Sequence, residues 1–279
     1  MKLKYKLQFV ISHKKKSTHK DWRSKLFLTP ALFFTWIFLK LRISANTVSL
    51  ISIFFPIIGS FFLASQNLKI IFIGSLGISI YFLLDYSDGA LAKISKTSSI
   101  NGIFLDLLMH PLAVVSTISG ISIGAIYVTG PQIIPFAILT IIATLISNIK
   151  DSYVWFAICF FGFEKKNKSS YFYKKKIKKI DHNTNNIYRL LKNFCTFLFH
   201  ENYLIFTLPL VSLVNLFFNF PLDFRVVIVV VGAIIYFPVS VFGIIRIIKD
   251  NRVTNNYNKL FYSKSKTTTR SLTEQNIYD

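Results

Sequence analysis

Three of the chain's 12 acidic residues, Asp85, Asp88 and Asp106, stand in stretches that are otherwise almost wholly apolar. A carboxylate in a membrane helix costs about 2.5–3.5 kcal/mol at mid-bilayer on insertion scales, so such residues usually line a cavity or bind an ion. Asp85 and Asp88 are three apart and share a face of one helix. Gly102, Asp106 and His110, four apart each, form a stripe on the next. A hairpin joining the two helices would bring both faces together at one shallow depth. Carboxylates this close cannot all stay ionised in a low dielectric without cations. Lys93 and Lys96 could supply that charge, which leaves salt bridging as one reading. Hard oxygen ligands without thiolates make the other, a site for Mg²⁺ or Mn²⁺. Gly89 and Ala92 lie on or beside the face of Asp88 and lack bulk, so a substrate can approach the backbone there.

The elements that carry these residues are long apolar blocks. Hydrophobic residues make up 52% of the 279, with 29 phenylalanines, and this excludes disorder for most of the chain. A helix crossing the roughly 30 Å hydrocarbon core needs about 20 apolar residues. Six stretches qualify, at about residues 47–64, 70–91, 103–128, 133–163, 197–218 and 222–248. The backbone must satisfy itself inside lipid, so these are helices paired as hairpins. The expected fold is an all-α integral membrane protein of six transmembrane helices, preceded by a cytoplasmic interfacial helix. Residues 1–43 would form the N-terminal arm and that helix, 44–250 the membrane domain with a basic loop at 164–196, and 251–279 a polar tail.

The net charge of +21 has a topological explanation. Of 33 Lys and Arg residues, all but Lys69, Lys150 and Arg225 fall on one side of the six-span arrangement. The positive-inside rule puts that side, both termini included, in the cytoplasm. Attraction to anionic headgroups accounts for the rest of the excess, so nucleic acid is not an expected partner. The apolar stretch Leu26–Leu41 is short, contains Pro30 and has basic flanks, which fits a helix lying at the cytoplasmic interface. The first 20 residues do not read as a secretory signal, because their charges are scattered and their apolar run is too short. Lys174–Lys179, beside Tyr171, Phe172 and Tyr173, suggest a surface-bound amphipathic segment. Cys159 and Cys195 have no metal-like spacing.

With these residues set out, Asp85-x2-Asp88-Gly89-x2-Ala92-Lys93-x8-Gly102-x3-Asp106-x3-His110 resembles the CDP-alcohol phosphotransferase signature, D-x2-D-G-x2-A-R-x8-G-x3-D-x3-D, at six of its eight fixed positions. Ser44-Ala45-Asn46-Thr47 resembles, more weakly, the start of that family's first helix, P-N-x-[LV]-[TS]. The resemblance implies transfer of a substituted phosphate from a CDP-linked alcohol to a hydroxyl acceptor, with release of CMP. It implies Asp85, Asp88 and Asp106 as ligands of two divalent ions that bridge the donor pyrophosphate, and Gly89, Ala92 and Lys93 beside the CDP-alcohol. Lys93 stands where the family has Arg, keeping charge but losing the bidentate fork. His110 stands where the family has the fourth Asp, a ligand and general base. Imidazole can serve as either, so His110 is expected as a catalytic and metal-binding residue; a polar pocket residue or lost activity are the other readings.

Several weaker features complete the expectations. Lys150 and Asp151, inside the fourth block, face the same cavity or pair with each other. Arg189, His200, Glu201 and Arg246 lie at cytoplasmic helix ends, where an anionic acceptor could bind. Gly120 and Gly124 form a G-x3-G pair able to support close helix packing or a homodimer. A non-catalytic protein that keeps the fold and binds nucleotide or metal is the rival reading. A cation transporter fits less well, because the acids cluster near one face.

Overall fold

The structure is a computed structural model that describes residues 22–148, 186–199, 201–218 and 222–249. Among these residues there are helices and no strand. Among the described residues, five helices are long and apolar enough to cross a membrane: Ala45–Leu63, Leu68–Ser95, Asn101–Thr129, Pro131–Asn148 and Phe224–Lys249. This is the all-α, membrane-embedded architecture expected. Within the expected fifth span, Tyr203–Phe218 is a shorter apolar helix among the described residues, and residues 149–163 of the expected fourth span lie outside them.

In chain order, α1 is Trp22–Leu41, α2 Ala45–Ser52 and α3 Phe54–Leu63, the last two forming one span broken at Ile53. Helices α4, Leu68–Ser95, and α5, Ile100–Thr129, form the central hairpin. Helix α6 is Pro131–Asn148, beginning as a 3₁₀ turn. Helices α7, Asn186–Phe199, and α8, Glu201–Phe218, follow. Finally α9, Phe224–Val231, runs through a π-helical turn at Gly232–Tyr236 into α10, Phe237–Lys249. Side chains cap the helix starts. Ser44 accepts from the Thr47 N–H, Asn67 from Lys69, Ser99 from Gly102 and Asp223 from Arg225, each satisfying a backbone donor that the helix cannot.

Small residues set the helix spacing. A Cβ on Gly74 would lie 2.7 Å from the Gly59 carbonyl oxygen and 2.8 Å from the Leu63 nitrogen, and one on Gly77 would lie 2.5 Å from the Phe55 carbonyl. The α3 and α4 backbones therefore touch directly, as small residues permit in membrane helices. Gly74→Val should lower unfolding stability in detergent by about 2 kcal/mol, the usual scale of overpacking. An unchanged midpoint would show that the two helices can separate at no cost.

The G-x3-G pair is used inside the chain. A Cβ on Gly120 would sit 2.3 Å from the Ser60 carbonyl oxygen, and one on Gly124 would meet Arg225 Nη1 at 2.4 Å and the Leu63 carbonyl at 2.7 Å. Both glycines admit other helices of the same protomer, so the pair gives no argument for a homodimer. Arg225, counted by sequence only as a stray charge, is 1% exposed. It ion-pairs with Asp223 at 2.7 Å and donates to the carbonyls of Leu63 and Ser65 at 2.7 and 2.5 Å. This ties the last membrane helix to the α3–α4 turn.

Helix α1 docks on α4 through reciprocal bonds. Thr35 Oγ1 donates to the Ser87 carbonyl at 3.1 Å, and Ser87 Oγ donates to the Ala31 carbonyl at 3.0 Å. Phe33 on the other side is 58% exposed, and Lys40 sits over the Trp36 ring at 5.8 Å. Helix α7 runs across the expected boundary between the basic loop, ending at 196, and the span beginning at 197. Its Cys195 and Phe199 are buried, Phe199 stacking on Tyr236 at 4.3 Å, while Ile187, Leu190 and Phe194 are exposed. Burial pushes the Cys195 thiol up to about 11, which makes it an inert packing residue.

Candidate functional site

The α4–α5 connection is short, and its chemistry makes it so. Lys96 takes a left-handed conformation with φ 56°, its N–H bonding the Lys93 carbonyl, while the Thr97 N–H returns to the Ala92 carbonyl at 3.0 Å. These bonds close the C-terminus of α4 as a Schellman-type cap. Ser99 then starts α5 as its N-cap. With so tight a turn, the last turns of α4 face the first turns of α5, and the two polar stripes meet.

Asp85, Asp106 and His110 converge. His110 Nε2 lies 3.3 Å from Asp106 Oδ1 and 3.6 Å from Asp85 Oδ1. One ligand atom from each residue falls within 4.8 Å of the others, so the three could hold a metal ion. The side chains of Asp85, His110 and Asp106 are 19%, 25% and 57% exposed, so the cluster opens to its surroundings on the Asp106 side. The imidazole is seated by aromatic rings: Tyr81 meets it edge-on at 5.9 Å and Phe82 at 5.8 Å. Tyr81 is fully buried and Phe82 nearly so, which holds the histidine against α4. The helix continues through Pro111, whose missing N–H leaves the Leu107 carbonyl without that helical donor.

Asp88 stands apart from this trio. Ser49 Oγ, from α2, donates to Asp88 Oδ2, although Asp88 is close enough to Asp106 and His110 to interact with both electrostatically. Ser49 was not singled out by sequence. The available signal was its place at the hydroxyl position of the weaker resemblance, directly after Val48. Asn46 of the same segment approaches Gly102, where a Cβ would lie 3.3 Å from Asn46 Oδ1. Three helices thus meet at the site.

Gly89 has open space beside it, since a Cβ there meets no heavy atom within 4 Å. Packing among the described residues therefore does not require glycine at this position. Ala92 is half-buried against the cluster formed by Ala45, Val48, Leu84 and Leu91. Lys93 and Lys96 are exposed, while His110 lies within reach of both Asp85 and Asp106. Arg246 is half-buried in the last turn of α10. Lys150, Asp151, Cys159, His200 and Lys174–Lys179 lie outside the described residues, as do the side chains of Arg189 and Glu201.

The donor set fits a divalent cation: two carboxylates and an imidazole with positions left open for other ligands. Comparison with known proteins adds no assignment, as no protein-family model and no curated protein matches the chain.

Proposed function

We propose that the chain is a membrane-embedded CDP-alcohol phosphotransferase. It would move a substituted phosphate from a CDP-linked alcohol to a hydroxyl acceptor, releasing CMP, in the synthesis of a phospholipid or a related lipid or glycan conjugate. The observation that carries this reading is the convergence of Asp85, Asp106 and His110, with Asp88 beside them, on the hairpin whose residues resemble the signature. In the reaction, the acceptor oxygen bonds to the phosphorus of the transferred group. The bond from that phosphorus to the CMP oxygen breaks, and the hydroxyl proton passes to a base. Such transfers demand positioning and charge neutralisation more than covalent chemistry. Bound Mg²⁺ or Mn²⁺, held by Asp85, Asp106 and His110 and by Asp88 if two ions bind, would supply that neutralisation. The space beside Gly89 and the exposed Lys93 ammonium would accommodate the donor's nucleotide and phosphate.

His110 takes part in this reading either as a ligand or as the base. His110→Ala should lose at least about tenfold in turnover in both roles, because general-base catalysis alone is commonly worth about 10²–10⁴-fold. Normal turnover in that variant would make the histidine a bystander.

By the positive-inside rule, the hairpin would lie on the cytoplasmic side. Ser98 is exposed at its tip. With Cys159 and Cys195 replaced, a cysteine at position 98 should react with a membrane-impermeant thiol reagent only after cells are opened. Labelling of intact cells would reverse the topology and the substrate compartment.

The activity is tested by incubating purified protein with a panel of CDP-alcohols, both CDP-diacylglycerol and soluble donors, with divalent metal and after chelation. CMP release from one donor class that stops on chelation and returns with metal is the expected result. Folded protein that turns over no donor would favour the non-catalytic reading.

A further inference from the structure

The substitution of nitrogen for oxygen at position 110 has a consequence for which ion is held. Donors that share one ion at metal–ligand distances of about 2.0–2.2 Å lie roughly 3.0–3.6 Å apart. His110 Nε2 meets that spacing to both carboxylates, at 3.3 Å to Asp106 and 3.6 Å to Asp85. Tyr81 and Phe82 hold the ring in this direction, so its nitrogen is presented to the carboxylates before any ion arrives. Asp88 Oδ2, for its part, accepts from the Ser49 hydroxyl. Mg²⁺ wants a near-octahedral oxygen shell and sheds water reluctantly, whereas imidazole suits first-row transition ions and strengthens their binding along the series from Mn²⁺.

We propose that Asp85, Asp106 and His110 form one nitrogen-containing site that selects a divalent transition ion, of the Mn²⁺-to-Zn²⁺ class, over Mg²⁺. The inference rests on the metal-site part of the reading above and needs nothing from its substrate. It also decides the histidine's role. With Nε2 on an ion, that nitrogen has no lone pair for the acceptor's proton, so His110 is a ligand and the proton leaves by another group.

The test uses the full chain in detergent, with Mn²⁺ and Mg²⁺ as the probes. Competition by equilibrium dialysis gives the two affinities, and pulsed EPR of bound Mn²⁺ reports nitrogen in its coordination shell. Mn²⁺ should bind at least about tenfold tighter than Mg²⁺, with a nitrogen coupling. His110→Asp, which restores an all-oxygen set, should keep metal binding, remove that coupling and shrink the Mn²⁺ preference. His110→Ala should also remove the coupling, which keeps the test decisive if His110→Asp does not fold. Metal binding with no nitrogen coupling and equal affinities would overturn the proposal while leaving a carboxylate metal site intact. Folded protein that binds neither ion would overturn both the proposal and the metal-dependent reading beneath it.

Discussion

Asp106→Asn is expected to abolish metal-dependent CMP release while leaving the protein folded. Asparagine has nearly the same shape, and the side chain it replaces is 57% exposed, so little packing is disturbed. The change removes a formal negative charge from a cluster in which the carboxylate sits 3.3 Å from His110 Nε2. Charge stabilisation through a metal site is worth several kcal/mol, and each 1.36 kcal/mol is tenfold in rate, so the loss should be on the order of 10²–10³-fold or more. The increase in unfolding temperature produced by added divalent ion should shrink as well, because binding to the folded state is what raises it. Asp85→Asn and Asp88→Asn should follow the same pattern. Full activity with undiminished metal stabilisation in Asp88→Asn would remove that residue from the site and leave it as a partner of Ser49.

Arg225→Ala should be the most destabilising single change among the described residues remote from the site. The guanidinium is essentially inaccessible and uses its Nε, Nη1 and Nη2 atoms on Asp223 and on the carbonyls of Leu63 and Ser65. Its removal takes the guanidinium from the Asp223 carboxylate, which keeps only its N-cap bond from the residue 225 N–H, and from the carbonyls of Leu63 and Ser65. Breaking a buried pair from one side typically costs about 3–5 kcal/mol, chiefly through the charge left behind. Arg225→Lys should recover part of this, since an ammonium cannot reproduce the planar fork. Chemical unfolding in detergent reads the difference directly. Protein that remains folded should still bind metal, because the clamp joins the α3–α4 turn to α9, whereas the carboxylates lie toward the α4–α5 turn. A stability change below about 1 kcal/mol would mean that water satisfies these groups and that the clamp adds little.

Apolar blocks and intramembrane acids are legible in one dimension because each is costly anywhere except in the place it implies. Asp85, Asp88, Asp106 and His110 could be assigned to facing helices from spacing alone. The hairpin turn that joins them follows from a short polar link. What spacing could not show is how a polar atom divides itself among neighbours. Ser49 has a carbonyl four residues back as a local outlet, at 3.2 Å, and its bond to Asp88 depends on how α2 is placed. Arg225 read as a charge on the wrong side of the membrane, because a charge count does not see the carbonyls that solvate it. Helix α7 is foreshadowed within the basic segment, where Ile187, Leu190, Leu191 and Phe194 recur at helical spacing. The glycines at 59, 74 and 77 were unreadable, since close backbone contact is a property of two helices together.

The most direct measurement is the product ratio in a single reaction containing purified protein, a CDP-alcohol donor, a hydroxyl acceptor and divalent metal. The account predicts one CMP released for each new phosphodiester formed, with both products absent when metal is chelated. Equal amounts of both products from chelated protein, or no product of either kind from folded protein with its metal bound, would contradict it.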